Sequence, residues 1–148
     1  MALLSKFFRL SAADKRLLTE AMLLVWLARL GLWLLPFRMM RQVLAKSGRE
    51  QFAFPVGESG VADRIAWAVS VTSRYVPAAM CLTQAIATKF LLGRCGCQAT
   101  VRIGVARSDS GRFQAHAWVE SNGKVVIGGS ESSLQHYIPL AASEGDLL

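Results

Sequence analysis

The chain has 148 residues, 53% hydrophobic and 18% charged, with a net charge of +7. That length suits one compact domain, or a small catalytic core with a helical attachment, and so much apolar content argues for a real core and for a face used by a partner. No zinc finger, nucleic-acid module or aromatic–basic interleaving is present, which argues against nucleic acid despite the charge.

The basicity is uneven. Residues 1–50 hold nine Lys/Arg and three Asp/Glu, whereas residues 51–148 hold eight and seven. Three cysteines and the absence of a recognisable secretory signal in "MALLSKFFRLSAADKR" predict a cytoplasmic chain with reduced thiols.

Residues 14–46 read as helical, with Ser11 or Asp14 as the cap and Pro36 as a kink or end. The densest apolar run, Ala21 to Phe37, falls short of the roughly 20 residues that span a bilayer. Arg29 in its middle adds about 3 kcal/mol against insertion. A helix buried against the protein or a partner is the simplest reading. A monotopic membrane helix and a true span are the alternatives, so membrane contact is open but not favoured. Arg38 to Arg49 reads as a short basic amphipathic piece, and residues 47–60 as a linker.

A second helix is predicted over 61–76, with Val61, Ile65, Ala68 and Val69 on one side and Trp67 near the edge. After Pro77 a third helix is predicted from Ala78 to about Gly93. It is apolar on most sides, which places it centrally, and Gly93 or Gly96 should end it. The period then changes. "QATVRIGVAR" and "RFQAHAWVES" alternate, and Asn122-Gly123 fits a two-residue hairpin turn into "KVVIGG". At least three antiparallel strands follow, then "YIPL" in a tail expected to fray at its polar end.

Cys81 falls in the first turn of the third helix. Unpaired N–H groups and the helix dipole favour a thiolate there, and its own N–H could contribute to an oxyanion hole. His116 lies in a strand, on one face with Trp118 and Glu120, while Ala115, Ala117 and Val119 point the other way. A central helix laid on the sheet would make Cys81 and His116 a nucleophile–base pair. An inert buried thiol and a satisfied strand histidine account for the same residues. Cys95 and Cys97 in "CGC" read as a helix end and strand start rather than a metal site, which would need four ligands. Trp118 reads as packing beside the histidine or as a subsite wall, and His136 as structural or exposed.

Residues 81–120, "CLTQAIATKFLLGRCGCQATVRIGVARSDSGRFQAHAWVE", resemble the leader peptidases (B2 proteins) of lasso peptide biosynthesis, a branch of the transglutaminase-like, papain-like cysteine proteases. The shared features are "CL" opening an alanine-rich helix, "LL", a glycine, "RIGV", and "AHAWVE" followed by "NG". The apolar residues 17–40 resemble the family's helical lead-in, so the likeness covers about residues 10–140.

The resemblance implies an α+β fold, with a central helix carrying the cysteine at its N-terminus, a small antiparallel sheet, and apolar N-terminal helices before it. Residues 1–50 would be a helical region for partner docking or membrane proximity, and 58–148 the peptidase core. It also implies that Cys81 is the nucleophile and His116 the base in removing the leader from a ribosomal precursor peptide, with no cofactor or metal. A small leader-recognition protein (B1 type) and an ATP-dependent cyclase would be the partners. A transglutaminase-like acyltransferase and a catalytically impaired scaffold are the rivals.

The family supplies an orienting aspartate about a dozen residues after the histidine. Here that position is Gly128. Glu120 lies about 13 Å along the strand from His116 and cannot reach the ring. If Asn122-Gly123 is the turn, His116 lies opposite Gly129, and Glu131 is diagonal to it and within reach of a long side chain. Glu131, Ser130, a water or a backbone carbonyl are therefore the candidate orienters.

Overall fold

The computed structural model describes residues 9–36, 39 and 58–139. The amphipathic piece Arg38 to Arg49, most of the 47–60 linker and the polar tail lie outside the described residues.

Helix α1 spans Ala12–Leu34. Ser11 caps it, its hydroxyl accepting from the Asp14 N–H at 3.1 Å. The helix stops at Leu35, which takes an extended conformation ahead of Pro36 and still donates its N–H to the Gly31 carbonyl at 2.8 Å. Helix α2 spans Glu58–Ser73, beginning three residues earlier than the apolar pattern suggested. Helix α3 spans Cys81–Arg94. It begins at Cys81 rather than Ala78, because Ala78 takes a left-handed conformation (φ 56°) that breaks the backbone just upstream.

The three helices share one core. Leu18, Ala21, Val25 and Ala28 of α1 recur every three or four residues and meet Ile65, Ala68 and Val69 of α2 and Ala85, Ile86, Leu91 and Leu92 of α3. The alanines let the backbones approach closely. Fully burying Val25, Ile65, Val69 or Leu92 contributes about 1.5–3 kcal/mol each. A Schellman motif ends α3: Cys97 N–H donates to Leu92 O at 2.9 Å and Gly96 N–H to Gly93 O at 3.0 Å. "CGC" thus serves as the helix stop. Burial, and then the neighbouring Cys97, pushes the Cys95 thiol up and keeps it protonated.

Strands β1 (Thr100–Arg107), β2 (Phe113–Ser121), β3 (Lys124–Ile127) and β4 (Ile138–Pro139) form one antiparallel sheet in the order β3-β2-β1-β4. The predicted α+β architecture is therefore the observed one. "YIPL" is not all frayed tail: β4 pairs with Gly104 and Val105 of β1. Asn122 and Gly123, at φ 51° and 73°, make the hairpin turn. Val101, Ala117, Val119 and Ile127 face the helices and join their core. Arg102, Gly104, His116, Trp118 and Glu120 alternate with them onto the opposite face.

Candidate active site around His116

Helix α3 packs on β2, and Cys81, its first residue, is half-buried against the core. The first intrahelical bond is Gln84 N–H to Met80 O at 3.1 Å, and Met80 offers no side-chain cap. The N–H groups of Cys81, Leu82 and Thr83 precede that bond and remain available for an acceptor. The turn before them is tight: Met80 N–H donates back to Ala78 O at 2.8 Å.

His116 sits mid-strand, opposite Gly104 of β1. Its Nε2 is hydrogen-bonded to the backbone carbonyl of Gly128. A carbonyl only accepts, so Nε2 carries the hydrogen and Nδ1 of the neutral ring keeps its lone pair. Tyr137, just before β4, stacks obliquely on the imidazole with ring centroids 5.3 Å apart and lies 6.5 Å from the Trp118 ring. Trp118 is buried and donates Nε1–H to Glu120 at 2.8 Å, while Arg102 donates to the same carboxylate at 3.3 Å. The Glu120 carboxylate is thus committed to the indole and to Arg102.

Two glycines make this arrangement possible. Gly128 has φ +105°, and a Cβ there would lie 2.6 Å from Trp118 Cβ, 2.7 Å from Trp118 Cα and 2.8 Å from the Ala117 carbonyl. No side chain, aspartate included, fits that conformation. A Cβ on Gly104 would meet Trp118 Cη2 and Cζ3 at 2.9 Å.

The predicted ladder needs one correction. Ser121 pairs with Lys124 as expected, but a bulge follows, so that Val119 pairs with Ile127. His116 consequently does not sit opposite Gly129, and the chain turns away after Ile127 to aim the Gly128 carbonyl at the ring. Glu131 opens a short helix, α4 (Glu131–Leu134), and is exposed. Among the described residues no hydrogen bond links Glu131 to His116, and none links Cys81 to His116. The orienting contact comes from a backbone carbonyl. Tyr137 was not legible as a site residue, since only the pairing of the two-residue β4 brings it over the histidine.

His136 is exposed, as read. Gln84 donates to the Ala79 carbonyl at 3.3 Å, and Arg94 lies 3.9 Å from Glu20 of α1.

No curated protein and no solved structure matches the chain. The model of the transglutaminase-like superfamily that describes lasso peptide B2 proteins matches residues 21–142, taking in α1 from Ala21, the cysteine helix and the whole sheet. A helix that opens on cysteine, laid on an antiparallel sheet with a backbone-oriented histidine, is the arrangement that match covers, and the chain belongs to this transglutaminase-like family of lasso peptide maturation.

Proposed function

We propose that the chain is the cysteine peptidase that removes the leader from a lasso peptide precursor, acting in the cytoplasm. The observation that carries this reading is the tautomer of His116. With Nε2–H donated to Gly128, Nδ1 is left as the base; it stands on β2, whose other face packs against the Cys81 helix.

Nδ1 takes the Cys81 proton, and the thiolate attacks the carbonyl of the last leader residue. The open N–H groups at the start of α3 hold the oxyanion. The protonated ring then gives its hydrogen to the departing core amine. Water, deprotonated by the same nitrogen, cleaves the thioester and releases the leader as a carboxylate. The freed amine is what a separate ATP-dependent cyclase needs for macrolactam formation. A B1-type protein supplies leader recognition. In this structure Cys81 lies with the core on the helix-facing side of the sheet and His116 projects from the other side, so the mechanism requires the start of α3 or β2 to rearrange when substrate binds.

The test is incubation of the precursor with this chain, with and without the recognition protein, read by mass spectrometry. Separate leader and core should appear with wild type and vanish in Cys81→Ala and His116→Ala that still fold. An amine adduct would favour acyl transfer. Intact precursor with wild type and partner both present would overturn the reading.

Two observations favour a second reading, a scaffold of the same maturation complex: a neutral carbonyl stands in place of the expected aspartate, and no bond joins Cys81 to His116 among the described residues. In that case Cys81→Ala leaves lasso peptide formation unchanged.

A further inference from the structure

Helix α1 is apolar on two sides. The side formed by Leu18, Ala21, Val25 and Ala28 is buried. On the other side Leu23, Trp26, Leu27, Leu30, Trp33 and Leu34 recur with the same three- and four-residue spacing and stay 42–74% exposed. A groove of about 790 Å³ beside them extends the patch across Trp67, Val71 and Tyr75. Its two threonine hydroxyls are already used: Thr19 donates to Lys15 O and Thr72 to Ala68 O. Apart from these, the indole N–H groups of Trp26 and Trp67 and the Tyr75 hydroxyl, the lining is apolar, a surface that suits an amphipathic boundary more than a fully polar occupant.

Charge identifies the occupant. Residues 1–50 hold nine basic and three acidic side chains. Two of those acids are engaged, Asp14 with Arg64 and Glu20 with Arg16 and Arg94. Lys15 and Arg16 lie in the first turns of α1, and Arg38 and Arg41 follow its end in sequence. A second copy would bring the same positive charge against itself, whereas an anionic lipid surface complements it. Trp26 and Trp33 have the apolar body and polar tip that suit the headgroup boundary.

By length and composition α1 could cross a membrane. Its packing against α2 and α3 along Leu18 to Ala28 rules out a span ringed by lipid. We propose that α1 instead lies in the plane of an anionic bilayer, its exposed face in the headgroup–acyl boundary and the domain above it. This holds whether or not the chain is a peptidase.

The test is flotation of the full chain with vesicles of phosphatidylcholine alone or mixed with phosphatidylglycerol, alongside light scattering in solution. Wild type should float with the mixed vesicles, show a blue-shifted tryptophan emission, and dissociate as salt rises. The triple variant Leu27→Gln, Leu30→Gln, Leu34→Gln should bind at least about tenfold more weakly with unchanged melting, since all three side chains are exposed. Wild type that ignores phosphatidylglycerol, or a triple variant that binds as well, would overturn the proposal. So would a wild-type dimer that the same substitutions make monomeric, or loss of a maturation partner by the variant in place of lipid binding. Either would put a protein on this face.

Discussion

Gly128→Asp places a carboxylate where the sequence resemblance leads one to expect it, and the substitution should damage the site. The residue at φ +105° would bear a side chain in a region that costs about 1–3 kcal/mol. Its Cβ would overlap Trp118 Cα and Cβ and the Ala117 carbonyl at 2.6–2.8 Å, and relief by backbone shifts costs about 1–3 kcal/mol more. The sum, about 2–6 kcal/mol, is a large part of a typical total of about 5–15 kcal/mol. For a chain of this size the melting midpoint should fall by about 5–20 °C. Gly128→Ala should fall nearly as far, because Cβ carries the cost. Circular dichroism melts of both variants, with precursor cleavage measured well below the midpoints, test this. An alanine variant that melts within about 2 °C of wild type, or an aspartate variant that cleaves faster, would refute both the steric account and the role of the Gly128 carbonyl.

Thr88 is fully buried on α3, and its hydroxyl has no hydrogen-bond partner among the described residues. Thr88→Val keeps the shape and should gain about 1 kcal/mol in urea unfolding; a loss would mean that the hydroxyl is bonded in solution. The Ser11 hydroxyl, and then Arg64, hold the Asp14 carboxyl below the ordinary carboxylate range. Its stabilisation should be complete above the unfolded value near pH ~3.9 and lost as pH falls through the lower folded value. Asp14→Asn should flatten stability against pH in that acid window alone, and identical acid limbs would refute the assignment. Gly104→Ala drives a methyl into the Trp118 ring and should cost about 1–3 kcal/mol. Adding Trp118→Leu should recover part of that loss relative to the single substitutions, whereas it should recover none of the loss in Gly128→Ala; equal coupling in the two cycles would count against the geometry.

Several features could be read from sequence because local chemistry decides them. Ser11 and Pro36 bound α1 through a cap and a missing N–H, and Asn122-Gly123 sets the hairpin without help from the rest of the chain. The pairing of "AHAWVE" followed alternation as far as Val119. What followed was not legible. The bulge before Ile127 depends on how the chain passes over Trp118, and no residue type announces it. Alanine gives no sign of a left-handed turn, so Ala78 hid the true start of α3. Tyr137 reaches His116 through a two-residue strand too short to leave a period. The missing aspartate was visible, but not that a carbonyl from the same residue takes up its contact.

A carboxylate would hold the imidazole by direction and by charge; the Gly128 carbonyl supplies direction alone. The tautomer is fixed, while in the proposed mechanism the positive charge of a protonated ring would be left to the thiolate and the substrate. Trp118 makes this geometry a matter of packing. Its Cα and Cβ lie under Gly128, its ring lies over Gly104, and Tyr137 comes within stacking range of both the indole and His116. Glu120 and Arg102 hold the indole from the far side. The overlap at position 128 is with backbone and Cβ, so shrinking the tryptophan ring makes no room for an aspartate there. The two glycines, the tryptophan and the bulge are therefore one correlated feature, and no single substitution turns this carbonyl-oriented histidine into a carboxylate-oriented one.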